Sequence, residues 1–261
     1  MALQCKLWWK RESLRKKWFP FLVFRPLTSY LPIMTRPVHV YLISLSLTLT
    51  IFLLFAYSAS QAQLPCKTIS EAMYTGQLEQ LKTEFGKNKS LQEDFELALL
   101  ISLSKYPELK ELRIEVVYGK IKTTMAARPK LGSVFRRKAK RRYKVVINSK
   151  EEKLQKAALK NVPFNAQVGV LAHEFAHIRL YNTKNLFGLI GVGISYSVSK
   201  RFREKFEKEN DRETISRGFG WQVYHFTSYI LNEAGVSEKY KKYKERIYYT
   251  PDELEEIINA D

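Results

Sequence analysis

The sequence predicts an α+β fold, mostly helical, in which a short antiparallel sheet precedes one long, nearly apolar helix. Three observations carry this. The segments "LRIEVVYG" and "RRYKVVINS" are rich in β-branched and aromatic residues, and Pro129 and Gly132 mark turns between them. Capping signals and apolar residues at helical spacing occur both before and after those segments. The stretch "VGVLAHEFAHIRLYN", residues 168–182, is apolar on nearly every face, as a helix buried on all sides is.

The chain of 261 residues with 45% apolar composition is long enough for one good core, so one folded domain is expected. Residues 1–33 read as a basic, aromatic leader. Residues 34–62 read as a signal peptide or membrane anchor, because no Lys, Arg, Asp or Glu falls between Arg36 and Lys67 and the apolar centre runs from about Val40 to Tyr57. Ser60 and Ala62 supply the small residues of a cleavage site, and Met34 would give an n-region of ordinary length. An uncleaved anchor behind a basic leader is the rival reading. Either way residues 63–261 form the domain, outside the cytoplasm: periplasmic, secreted or held at a membrane.

Within that domain, "SLQEDFELALLISLSKYP" opens with a capping box of Ser90 and Glu93 and predicts a helix ending before Pro107. The two strands follow. Ser149 and Glu152 form a second box ahead of "KEEKLQKAALK", and Pro163 with Asn165 breaks the chain before the long helix. A third start signal is "TPDELEEII", where Thr250 caps, Pro251 takes the first helical position and Glu253 completes the box. "FGLIGVGISYSV" is apolar and glycine-rich, and reads equally as a hairpin over the site or as a surface touching a bilayer.

The formal charge is +18, and without residues 1–62 it is +11, basic but not extreme. The run "RRKAKRR", Arg136–Arg142, fits a solvated loop or anionic headgroups; nucleic acid is not expected as a partner of an exported domain. Cys5 and Cys66 stand in no CxxC or CxxxC spacing and offer no thiolate metal cage.

Two of the four histidines, His173 and His177, lie four apart on the long helix and so on one face, able to present imidazoles to one ion. Glu174 sits about 100 degrees round from His173, within reach of a water held there. Neutral imidazoles hold Zn²⁺ while leaving it Lewis acidic, and a nearby carboxylate can take the water's proton. A core helix that merely satisfies two histidines is the alternative the motif alone leaves open. Downstream, "RFREKFEKENDRETISRGFG" offers Glu207 and Asp211 at i, i+4 spacing, with Glu209 and Glu213 as competitors in a highly charged stretch.

HExxH followed by this ExxxD resembles the gluzincins, and particularly the small membrane-associated minigluzincins related to the CAAX prenyl endopeptidases and heat-shock membrane proteases. The resemblance covers about residues 143–217. It implies a minigluzincin-like domain, with His173, His177 and Glu207 as zinc ligands and Asp211 as a carboxylate orienting a ligand histidine. It also implies that the strand "YKVVIN" pairs with extended substrate. Arg179 and Asn210 depart from the pattern, where an apolar and a small residue are usual. Thr183 stands where the metzincin third histidine would be. His225 and Tyr224 are candidates for binding a transition-state oxyanion, His225 also for replacing Glu207, although their apolar context fits core packing too.

The function expected is a zinc-dependent endopeptidase acting on peptide or protein substrates, with Glu174 as general base. The alternatives are a catalytically silent peptidase-like binding module and a zinc-dependent hydrolase of a non-peptide amide.

Overall fold

The computed structural model describes residues 66–150 and 154–260. The leader and the hydrophobic segment of residues 34–62 lie outside the described residues, as does Glu152. The elements in chain order are helix α1 (Leu78–Phe85), strand β1 (Lys89–Ser90), α2 (Glu96–Leu103), β2 (Arg113–Gly119), β3 (Met125–Pro129), β4 (Arg142–Asn148), α3 (Phe164–Thr183), α4 (Leu186–Val198), α5 (Lys200–Thr214), α6 (Gly220–Ser228), α7 (Glu238–Ile247) and α8 (Pro251–Ala260). The fold is α+β and mostly helical, as the sequence predicts.

The sheet is mixed rather than antiparallel. Its order is β1-β2-β4-β3, with β1 and β4 parallel to β2 and only β3 antiparallel to β4. The reason is the connection: β4 fills the slot between β2 and β3, and residues 120–141 are long enough for the crossover that parallel pairing requires. The strand β3 is absent from the sequence reading because "MAARP" has little β-propensity and ends in proline. It occupies a sheet edge, where a missing N–H is tolerated. The "YKVVIN" strand is β4, paired on both sides, and the sheet edge on the side of the long helix belongs to β3.

Other starts also differ. Ser90 caps nothing: it pairs with β2 opposite Glu115, and the chain enters α2 through a 3-10 turn, Glu93–Phe95. From Gln155 two short 3-10 turns replace a continuous helix. Asn165 does not break the chain but lies inside α3, where its Oδ1 accepts from the Ile69 N–H at 2.8 Å and from Gln222 at 3.1 Å. The box at Thr250 forms as read: its N–H donates to Glu253 at 2.7 Å, and the Glu253 N–H donates to its hydroxyl at 3.3 Å.

The helix α3 is the axis of the domain, and every residue from Val168 to Ile178 is buried. One side packs on α2 and β3, the other on α5 and α6. Side chains from the α2 side hold its carbonyls: the Ser102 hydroxyl donates to Val168 at 3.0 Å, and the Tyr106 hydroxyl to Ala172 at 2.9 Å. At its C-terminus, Lys138 and Arg141 donate to the carbonyls of Thr183 and Lys184 at 2.6 and 2.7 Å. Arg179 and Arg217 together bridge Glu108 and Glu213. The arginine that breaks the extended motif is thus used to tie α3 to α5.

The approach of α3 to α6 depends on Gly169, one turn before His173. A Cβ there would lie 2.2 Å from the carbonyl oxygen of Gln222, backbone that has no flexible way to yield. Gly169→Ala is expected to destabilise the fold by about 2–4 kcal/mol, at or above the usual range for overpacking, measured by chemical denaturation. A change below about 0.5 kcal/mol, the level of an ordinary surface substitution, would contradict this packing.

Candidate metal centre

The buried cluster on α3 and α5 follows from two i, i+4 spacings meeting face to face. His173 and His177 occupy one face of α3, and Glu207 and Asp211 one face of α5; all four are buried, whereas Glu209 is exposed. The Glu207 Oε2 lies 3.1 Å from Nε2 of His173 and 3.1 Å from Nε2 of His177. One ligand atom from each of the three side chains lies within 4.8 Å of the others, so this group could bind a metal ion. Donors about 3.3 Å apart are what a tetrahedral ion with bonds near 2.0–2.1 Å requires. The residues therefore fit an ion, through two nitrogens and one oxygen.

Around the cluster the ligands are held in place. Asp211 Oδ1 lies 2.7 Å from His173 Nδ1 and fixes the ring with Nε2 toward Glu207. The Tyr196 hydroxyl, from α4, donates to the other Glu207 oxygen. His177 stacks on Phe206 and Tyr181, at ring centroid distances of 5.3 and 6.0 Å. Its Nδ1 is buried without a partner, unlike that of His173. Asn210, where the resemblance has a small residue, is buried and donates to the Phe206 carbonyl at 2.7 Å.

Electrostatics follow from burial and proximity. Burial alone would raise the Glu207 pKa, but the adjacent His177 and the hydrogen bonds from both imidazoles hold it well below the ordinary value. Burial alone would lower His173, and Asp211 and Glu207 overcome it, raising the pKa to about 10. The proton that His173 shares with these carboxylates is one an incoming cation would displace.

Glu174 is buried on the neighbouring face. Its pKa is raised, chiefly by burial, against the opposing charges of His177 and His173 and the smaller effect of the Ala127 backbone N–H on β3. One oxygen, Oε2, has no partner. A cavity of about 40 Å³ lined by Thr124, Gly169, His173, Glu174, Asp211 and Tyr248, among others, meets the cluster on this side. It has room for a water-sized ligand. Glu174 thus brings a buried carboxylate to the wall of this space, beside the group that could bind a metal ion.

His225 and Tyr224 do not line that cavity. His225 is exposed on α6, and Tyr224 packs against the cluster of Trp221, Leu254 and Ile258. Tyr248 stands in their place, with its ring 5.8 Å from that of His173 and Lys244 Nζ 3.9 Å above it. Burial foremost, and then the charge of Glu207, raise its pKa well above the ordinary value, so the phenol stays a donor. No motif marked Tyr248. Tyr196 carried a weak signal, as the single hydroxyl-bearing aromatic in an apolar run.

Comparison of the chain with family models, with curated proteins and with solved structures returned no match.

Proposed function

We propose that this chain is a zinc-dependent peptidase of gluzincin type, exported or membrane-anchored, acting on peptide or protein substrates. The observation that carries the reading is the unpartnered, buried carboxylate oxygen of Glu174 beside the His173–His177–Glu207 triangle. Two imidazoles and one carboxylate make a zinc donor set that leaves a coordination position open. A bound Zn²⁺ would lower the pKa of the attacking water and polarise the peptide carbonyl.

The chain's own groups do the rest. Glu174 takes the water's proton and delivers it to the leaving amine. The Tyr248 hydroxyl donates toward the oxyanion that develops on the carbonyl. Asp211 and Tyr196 keep His173 and Glu207 oriented. Ladder bonds to β4 use Thr124 and Lys130 of the β3 segment, so the alternating residues Met125, Ala127 and Pro129 face the outer edge, where the Ala127 N–H is taken by Glu174 and its carbonyl is left for a partner. An extended peptide laid along that edge would lie beside Glu174, a role the resemblance assigned to β4.

The test is peptide hydrolysis by the zinc-loaded chain. Cleavage of an unfolded protein substrate should vanish with a chelator and return with zinc. Cleavage that survives full metal removal would overturn the proposal.

A further inference from the structure

The apolar run between the two motifs forms α4, and this helix inverts the usual arrangement of a surface helix. Phe187, Ile190, Ile194 and Val198 lie along its outward face at 81, 48, 60 and 78% exposure, while Leu189 is buried and Tyr196 reaches Glu207. No charged residue occurs from 185 to 199. The loop before β4 adds to the same region, since the bonds from Lys138 and Arg141 to Thr183 and Lys184 hold it against the start of α4. That loop exposes Leu131 and Phe135 at 83 and 77%.

Charge surrounds this apolar surface on one sign only. Residues 130–142 contain seven Lys or Arg and no acid, and 183–203 contain Lys184, Lys200, Arg201 and Arg203 and no acid. Arg136, Arg137, Lys138, Lys184, Lys200 and Arg201 are exposed. A stripe of large apolar side chains rimmed by cations is the pattern of a helix lying in the plane of an anionic bilayer surface. At 13 residues α4 is about 20 Å long, too short to cross a hydrocarbon core of about 30 Å. Among the described residues no helix is long and apolar enough to span a membrane.

We propose that α4 and the 131–141 loop form a docking face for an anionic phospholipid surface. The apolar stripe inserts below the headgroups, and the flanking lysines and arginines contact the phosphates. The docked helix carries Tyr196 on its inner side, so the metal centre sits one helix thickness from the lipid. This docking does not depend on what chemistry the centre performs.

The test uses the full chain in nanodiscs, with a fluorescent side chain introduced at Ile194, a second version at Phe187, and a control at Glu256 on α8. The readout is quenching by brominated acyl chains. In discs of phosphatidylcholine mixed with phosphatidylglycerol, labels at 194 and 187 should be quenched several-fold more than at 256. Replacing Arg136→Glu and Arg137→Glu together should reduce this to the level seen in phosphatidylcholine alone. Equal quenching at 194, 187 and 256 would overturn the proposal. So would labels at 194 and 187 already shielded from aqueous quencher in buffer free of both lipid and detergent, which would mean that this chain or a second copy covers the face.

Discussion

Glu174→Gln is expected to keep zinc at close to one ion per chain while peptide hydrolysis falls by roughly 10²- to 10⁴-fold, the range of a lost general base. The substitution leaves His173, His177 and Glu207 untouched, and glutamine fills the same buried volume between α3 and β3. Its amide oxygen can still accept from Ala127, so the fold should be preserved. What it cannot do is take a proton from water and return it to the leaving amine. The loss should therefore appear in kcat more than in KM. A variant that retains zinc and half of the activity would remove Glu174 from the mechanism and leave the cluster as a structural metal site at most.

The second large effect separates Glu207 from Glu209, Asp211 and Glu213 on α5. Glu207→Ala should weaken zinc binding most strongly, because it removes the one oxygen donor that lies 3.1 Å from both imidazoles. Asp211→Ala should weaken it by about ten- to a hundredfold, since His173 keeps its ligand atom and loses the group that aims it. Glu209→Ala, on the exposed face, should change almost nothing. Glu213 is engaged with Arg179 and Arg217 and is not a competitor for the ion. Zinc titrations of the variants give the order directly. If Glu209→Ala or His225→Ala is the damaging change and Glu207→Ala binds normally, the ligand set is wrong even if His173 and His177 hold a metal.

What could be read from the sequence was what helical periodicity controls. Spacing of four puts His173 with His177, and Glu207 with Asp211, on common faces before any tertiary contact is known. The buried character of α3 and the box at Thr250 are likewise local. Strand direction was not legible, because whether β4 lies parallel or antiparallel to β2 depends on the crossover rather than on residues in the strands. β3 itself was hidden by "MAARP", whose role comes from its edge position. Ser90 carried a genuine cap signal that lost to backbone pairing with β2. The segment 186–198 was ambiguous because an apolar, glycine-rich run has no polar face to set a period. Tyr196 and Tyr248 reach the site only through packing, 22 and 74 residues beyond Glu174 in the chain. His225 and Tyr224 were attractive by chemistry alone, and α6 turns them elsewhere.

His173, His177 and Glu207 are proposed to hold one zinc ion together. Metal analysis of the purified full chain, made alongside His177→Ala and Glu209→Ala, tests this assignment most directly. Close to one zinc per chain is expected in the parent and in Glu209→Ala, and loss of the metal in His177→Ala. Zinc content that is the same in all three, or near zero in the parent even after incubation with excess zinc and dialysis, would contradict it.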